Sequence, residues 1–425
     1  MLKQIHFCGV IEVLSPLHVG TGDFAPLKDL RPNLGNNFEK EAQEAEVALI
    51  ARDVKGKPCI PTSTLKGALS RLLQNDNLFG TIREDTGGQM GRLFLKLSRL
   101  SDDEENNQKK DYLPHFSAEQ MTYIQSRTAI DSKTRTAKDG SLFNQELVPE
   151  GVRFTLEGRY LGEDTEELMP LLKKMANSEG FNIGKNQSLG YGKIRLCEIK
   201  SCTLKEVGKQ DETLPIDINN DEASTNKEMI TFNLFCQAPY ISIDTTQAGN
   251  KKDKTDAALK YIKDKDNNPK LLPSSLIGAI RHQFAWWCQT TKNCQTGPDD
   301  SEFIFEGNVS QVQNLQPSQR LFGVTGWRSC IGVEKIECTN PGEELEITSV
   351  ALDSFSGAPL DGALFATQTR CGVGFKISLS LDSRTSDEDT ELFKEFIENL
   401  DVLMLGHGST KGFGWFEKVI PEEGN

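Results

Sequence analysis

The sequence predicts an α+β fold made of two tandem ferredoxin-like, RRM-like (βαββαβ) domains. Three observations predict it. Three blocks of residues recur in the same order along the 425 residues. Each recurrence carries helix-periodic segments among strand-like ones. A polar stretch, 206–228, separates the two copies and reads as a linker. The domains expected are therefore 1–205 and 229–425, each of ordinary domain size.

The repeat is the strongest signal, because a fixed period describes the architecture before any element is assigned. Ala129-Ile130-Asp131-Ser132 followed by Asp139-Gly140-Ser141-Leu142-Phe143 returns as Ala351-Leu352-Asp353-Ser354 and Asp361-Gly362-Ala363-Leu364-Phe365, an offset of 222 residues. Gly184, Gly190, Tyr191 and Gly192 return at the same offset as Gly406, Gly412, Phe413 and Gly414. The proline-led segment from Ile60 to Ala68 returns, one residue shorter, from Leu272 to Ala279.

Within each copy the elements follow in order. Residues 4–14 and 229–236 open the halves as strands. After Pro61, Thr62 or Ser63 is placed to cap a helix whose Leu65, Leu69, Leu72 and Leu73 share one face. Leu276, Ile280, Phe284 and Trp287 repeat that spacing, and Phe284, Trp286 and Trp287 read as core. Later helices are expected at 166–176 and 389–400.

Composition excludes several classes. No run approaches the eighteen or so apolar residues of a spanning helix. The opening residues break their apolar run at His6, Gly9 and Glu12, so no secretory signal is expected and the chain reads as cytoplasmic. The ten cysteines form no CxxC and no zinc-type spacing, and read as reduced thiols. With 48 basic and 62 acidic residues the net charge is −14, which argues against a general nucleic-acid coat but allows a basic groove on one face. No Walker loop, nicotinamide fingerprint or Ser–His–Asp pattern follows a suitable strand, so no nucleotide or organic cofactor is expected.

Each copy ends in a glycine loop, Gly184 to Gly192 and Gly406 to Gly414. Glycine lets backbone approach a ligand, and successive N–H groups can cradle a phosphate. Lys185 and Lys411 add charge inside the loops, beside His407 and Gly408. The helix after the proline would turn its free N–H groups, near Ser63 and Ser275, toward the same phosphate. Lys66, Arg71 and Arg281 would supplement them. Arg127, Lys133, Arg135 and Lys138 make the first Asp–Ser segment basic, whereas its counterpart has only Lys335 and Arg370 nearby.

These blocks, with Leu17-His18-Val19-Gly20-Thr21-Gly22 after the first strand, resemble the CRISPR-associated RAMP proteins, and more narrowly the backbone (Cas-seven-type) subunits of type III effector complexes. Two fused copies most resemble the double-backbone subunits of type III-D variant complexes. The resemblance implies palm-like domains holding a CRISPR RNA, complementary target RNA, and neighbouring Cas backbone and capping subunits, with no membrane. It implies β-hairpin thumbs around 128–143 and 350–365. It also implies target cutting by a loop carboxylate, with a divalent cation, Mg²⁺ or Mn²⁺, near the scissile phosphate.

The family's usual Asp lies six residues before the acid of a basic–acidic pair. Here the pairs are Arg52-Asp53 and Lys263-Asp264, and Val47 and Ala258 stand in that place. The catalytic candidates are instead Asp256 and Asp29, then Asp23 and Asp244, with Glu46 also near. Asp131 and Asp353 read as hairpin organisers. A non-catalytic scaffold is the competing reading. A guide-processing ribonuclease using His18 or His407 is a third.

Overall fold

The computed structural model describes residues 3–31, 44–81, 88–102, 106, 110, 112–131, 134, 136–162, 164–206, 208–218, 228–243, 261–292, 305, 312 and 314–419, with 361–365 by backbone alone. It is a mixed α+β fold, rich in strands.

The first half opens with β1 (Gln4–Val13), then β2 (Gly20–Pro26), β3 (Glu46–Ile50) and helix α1 (Thr62–Leu72). β4 (Leu93–Leu95), β5 (Tyr123–Ile130), β6 (Ala137–Leu147) and β7 (Arg153–Leu161) follow. Helix α2 (Met169–Ala176), β8 (Phe181–Asn182), β9 (Lys193–Lys205) and β10 (Glu212–Thr213) complete it. The main sheet runs β8-β9-β1-β7-β4, with β10 on β9. Thus Glu212 and Thr213, inside the expected linker, extend the first sheet by pairing with Leu204 and Thr203.

The second half contains β11 (Glu228–Cys236), α3 (Pro273–Thr291), β12 (Ile331–Leu352), β13 (Pro359–Leu381), α4 (Asp387–Glu398), β14 (Val402–Met404) and β15 (Trp415–Val419). Its sheet runs β14-β15-β11-β13-β12. Position for position this is the order of the first sheet. In both, the opening strand is central and antiparallel to its two neighbours.

Each sheet has its own core. Leu65 and Leu69 of α1 are fully buried with Ile5, Ile11 and Phe154. Phe284 and Ile280 of α3 are fully buried with Phe375, Phe393 and Phe396. Removing an aromatic ring of that size from water contributes roughly 1.5–3 kcal/mol. Phe284 meets Phe396 edge-on with centroids 5.3 Å apart.

Three expectations about the helices need correction. Neither Thr62 nor Ser63 caps α1: both lie inside the helix, the N-cap is Pro61, and no side chain bonds the first turn. The copy is alike, with Leu272 as N-cap of α3 and again no side-chain cap. Trp286 is 54% exposed while Trp287 is buried, because a residue next in sequence is rotated 100° off the buried stripe. Helix α2 starts at Met169, three residues after the expected Glu166.

Candidate RNA-binding face

The glycine loops are built by the same backbone rules twice. Gly192 N–H donates to the Pro16 carbonyl and Gly414 N–H to the Pro239 carbonyl, at 2.9 and 2.8 Å. Lys185 N–H donates to His18 O and His407 N–H to Ile241 O. Each loop is therefore tied to the segment that leaves the opening strand. Gly184, Gly192, Gly406 and Gly414 all have positive φ. A Cβ on Gly192 would lie 1.9 Å from Ile183 O, and one on Gly414 would lie 1.7 Å from Leu405 O. Only glycine fits these turns. A 3-10 turn follows in both, Gln187–Leu189 and Ser409–Lys411. Helices α1 and α3 pack against the short strands β8 and β14 that enter the loops.

The two hairpins also share one register. Leu147 faces Tyr123 as Thr369 faces Leu345, each pair displaced by 222. At the first tip, Asp131 accepts from the Thr134 N–H and hydroxyl at 2.7 and 2.9 Å. At the second, Asp353 accepts from the Phe355 and Ser356 N–H groups and the Ser356 hydroxyl. Those bonds hold the Asp353 carboxyl below the usual carboxylate range. Both aspartates organise turns, as the sequence suggests. The tips are apolar and open: Phe355 is 99% exposed and Ile130 60%.

β2, β3, β6 and β5 form a separate four-stranded sheet that joins the first loop to the base of the first hairpin. The β2–β3 register slips between Gly20 and Phe24, so Thr21, Gly22 and Asp23 bulge from an edge strand. Asp23 is exposed there, and Asp29 is exposed on the helical turn Leu27–Leu30. Asp244 and Asp256, and Lys133 and Arg135, lie outside the described residues. Val47 is fully buried against Leu27 and Ile124. Asp53 and Asp264 close local turns, each accepting from the N–H groups two and four residues on. Among the described residues no three His, Cys, Asp or Glu side chains are grouped to hold a metal. A protein cage for the expected cation is thus not formed by these residues.

Between loop, hairpin and bulge lies a polar cluster that sequence reading caught only in part. Arg127 donates to Gln145 Oε1 at 2.6 Å, and Asn186 Nδ2 donates to the same oxygen at 2.9 Å. Tyr191 donates to Gln125 at 2.6 Å, and burial pushes its phenol up to about 12. Arg127 Nε and Gln145 Nε2 are buried without a protein partner. Lys185 Nζ reaches over Gly20. His18 is buried, with Nδ1 2.7 Å from the Glu146 carbonyl. Burial, with the charges of Lys185 and Arg127, lowers its pKa. A buried neutral imidazole is a poor acid for RNA scission.

Beneath the cluster, Glu146 is fully buried and bonds Arg52 at 2.5 Å and the Thr122 hydroxyl at 2.6 Å. Arg31 bonds that hydroxyl, the Thr122 carbonyl and Gln120. Nothing in the sequence pairs Arg52 with Glu146 across 94 residues; topology alone brings them together. In the second half Gln368 stands at the position of Glu146, and Arg370, at that of Val148, bonds Tyr261 at 2.7 Å and Glu344 at 3.0 Å.

The remaining sequence candidates are dispersed. Ser63 and Ser275 are exposed one and two residues into their helices. Lys66 is half-buried on α1, Arg71 is exposed in its last turn, and Arg281 is half-buried midway along α3. Gly190 is not open: Val333 of the second half occupies the space beside it, 2.5 Å from where a Cβ would be. Gly412 has nothing within 4 Å of that point. Gly408 packs on Phe413, and Lys411 is exposed. His407 is exposed on the loop, and partial desolvation and Lys411 lower its pKa.

The profile of the RAMP superfamily matches residues 10–195 and, a second time, residues 255–417. This chain belongs to the RAMP superfamily. The two matches fall on the two sheets, so the sequence repeat is a repeat of the RAMP unit. A curated relative, the CRISPR system Cms endoribonuclease Csm3 of Methanocaldococcus jannaschii, is 27% identical over 233 residues, covering 48% of this chain and 83% of that relative. Among the described residues no helix is long and apolar enough to cross a membrane.

Proposed function

We propose that this chain is a double backbone subunit of a type III CRISPR RNA-guided effector complex. Each half is a ferredoxin-like palm holding part of one CRISPR RNA, and each hairpin is a thumb reaching between guide and target. The observation that carries this is the duplicated cradle: two glycine loops of matched backbone, each anchored to the segment that leaves the opening strand and each inside one of the two RAMP matches. The strand order, with the opening strand central and the last strand beside it, supports the palm. The relative's name supports membership of a CRISPR system and an endoribonuclease activity.

RNA contacts are assigned to Arg127, Lys185, Asn186 and Gln145 in the first half, and to His407, Gly408 and Lys411 in the second. Base pairing with the guide supplies sequence choice, while the protein reads phosphates and shape. Exposed Ile130 and Phe355 suit a wedge between stacked bases. Partners are the guide, a complementary target RNA and other Cas backbone and capping subunits, in the cytoplasm.

For cutting, Asp23 is the leading candidate among the described residues, since its bulge lies on the sheet that carries the thumb. Its carboxylate would take the proton of a ribose 2′-hydroxyl as that oxygen attacks the adjacent phosphorus; the P–O5′ bond breaks, leaving a 2′,3′-cyclic phosphate, and the departing 5′-oxygen takes a proton from water. Asp29, Asp244 and Asp256 remain candidates beside it. An Mg²⁺ or Mn²⁺ ion would draw most ligands from RNA phosphates and water, as such ions do when only one or two carboxylates are near. A scaffold without cutting is the second reading, favoured by Val47, buried in the core where the family's Asp is expected.

Cleavage of a labelled complementary RNA by the assembled complex tests this. Replacing Asp23, Asp29, Asp244 and Asp256 with Ala should abolish the cuts assigned to this chain while guide binding persists. Every cut persisting would make the chain a scaffold.

A further inference from the structure

Two of the candidate carboxylates sit on one piece of chain, and that piece is fastened at its far end. β2, which carries Asp23, runs straight into the helical turn Leu27–Leu30, which carries Asp29. Leu27 and Leu30, three residues apart, pack on Val47 and Ile124, and Asp29 between them is exposed. Leu27 N–H donates to Ala45 O at 3.0 Å, and Arg31 N–H closes the turn by donating to Leu27 O at 2.9 Å.

The Arg31 side chain is the fastening. It is 8% exposed. Its Nε donates to His115 O at 2.7 Å. Nη1 donates to Leu30 O at 2.9 Å and to Gln120 Oε1 at 2.6 Å. Nη2 donates to the Thr122 carbonyl and hydroxyl, both at 3.0 Å. A guanidinium has five N–H donors, and these bonds use them all. Every acceptor is neutral. The charge of Glu146 favours the cation, while burial and Arg52 oppose it. A buried cation on neutral acceptors is a poor stabiliser of a fold, but a rigid fork bonded in five directions fixes geometry. The segment that receives the fork is constrained too. His115 and Met121 have φ of 49° and 52°, left-handed values that side chains rarely adopt and that persist where the surroundings impose them.

The fastening leads to the hairpin and the first glycine loop. Thr122 directly precedes β5, and its hydroxyl accepts from Arg31 and donates to Glu146 of β6 at 2.6 Å. The neighbouring Gln145 accepts from Arg127 and from Asn186 of the loop. A chain of bonds thus joins the loop, the hairpin base and the acid-bearing turn. In the second half Glu344 stands at the position of Thr122 and Gln368 at that of Glu146, so this relay is not repeated there.

We propose that Arg31 is a positioning residue for cutting: it holds segment 23–29 at one height and angle against the foot of the first hairpin, so that the carboxylate meets the target at a fixed place. This rests on the cutting reading above and deepens it by naming what aims the acid.

The test is steady-state cleavage of a labelled complementary RNA by the assembled complex, with kcat and KM read separately for the cut lost on replacing Asp23 and Asp29. Arg31→Ala should lower kcat about a hundredfold, the loss that a misplacement of about 1 Å produces, with KM and guide retention within about twofold of wild type. Arg31→Lys keeps the charge but offers three donors, and should lose about tenfold. Gln120→Ala removes one acceptor from a half-buried side chain, spares the fold, and should lose about threefold. Amide exchange over residues 22–30 of the full chain should quicken about tenfold in Arg31→Ala and less in the other two. If Arg31→Ala also loses guide retention, Arg31→Lys and Gln120→Ala decide. Unchanged kcat, unchanged exchange, or guide retention falling in step with kcat in those two variants overturns the positioning role and leaves the cutting reading standing. A wild-type complex that cuts nothing sinks the cutting reading itself, and the role of Arg31 with it.

Discussion

The first and second cradles have one backbone and two chemistries. Both are fixed by the same glycines, the same bonds to the strand exit and hairpins of the same register. The first is lined by Arg127, Gln145, Gln125, Asn186 and Lys185 above a buried carboxylate. At the matching positions the second has Ser349, Thr367, Ile347, Gly408 and His407. Arg370 is engaged with Tyr261 and Glu344 and Lys335 with Glu337 at 2.6 Å, while Lys411 is exposed. Duplication preserved the backbone of the loop and hairpin, and divergence changed the side chains that line them. In both loops most backbone N–H groups bond carbonyls of the chain itself, while side-chain charge is concentrated in the first.

The buried locks separate the halves most sharply. Glu146→Ala leaves Arg52 without its partner in the interior and should cost about 3–5 kcal/mol in chemical denaturation. Glu344→Ala, whose side chain is 63% exposed, should cost about 1 kcal/mol or less. Equal losses would remove the distinction. The glycine turns should instead behave alike. Gly192→Ala and Gly414→Ala each drive a methyl into a carbonyl at positive φ, with expected losses of about 3 kcal/mol each. Gly412→Ala, strained but unobstructed, should cost only about 1 kcal/mol.

Guide affinity sharpens the contrast further. Arg127→Ala or Lys185→Ala should weaken guide binding by about tenfold and lower its salt dependence, and Lys411→Ala should do so by less. Equal effects in a salt titration would argue that the halves grip alike. A smaller effect concerns His18. Its folded pKa is lowered, so the folded state takes up fewer protons than the unfolded one. Its stabilising contribution is complete above the ordinary imidazole value of 6.5 and declines as pH falls below it. His18→Gln should flatten the acid side of a stability–pH curve, whereas Ile241→Gln at the matching position should leave that slope intact.

What was legible in the sequence is what short-range geometry demands. Glycines needing positive φ, aspartates bonding two and three residues ahead, and leucines on one helical stripe are local rules written in local residues. The 222-residue offset survives because those rules tolerate little change. What escaped depends on distant partners. Glu146 meets Arg52, Arg31 and Thr122 only through sheet topology. Gly190 looks like another ligand-facing glycine until Val333 is seen beside it. Proline at the N-cap left Thr62 and Ser63 inside the helix, so the hydroxyls read as caps do not cap. Of the four carboxylates nominated for catalysis, Asp23 and Asp29 are exposed on or beside the four-stranded sheet, while Asp244 and Asp256 lie outside the described residues.

Hydroxyl-radical footprinting of a guide RNA bound to the full chain tests the central claim most directly, that two equivalent cradles hold successive segments of one strand. The account predicts two protected windows of similar length separated by a short exposed gap, with Lys185→Ala weakening one window and sparing the other. A single window, or protection that responds as a whole to that substitution, would contradict it.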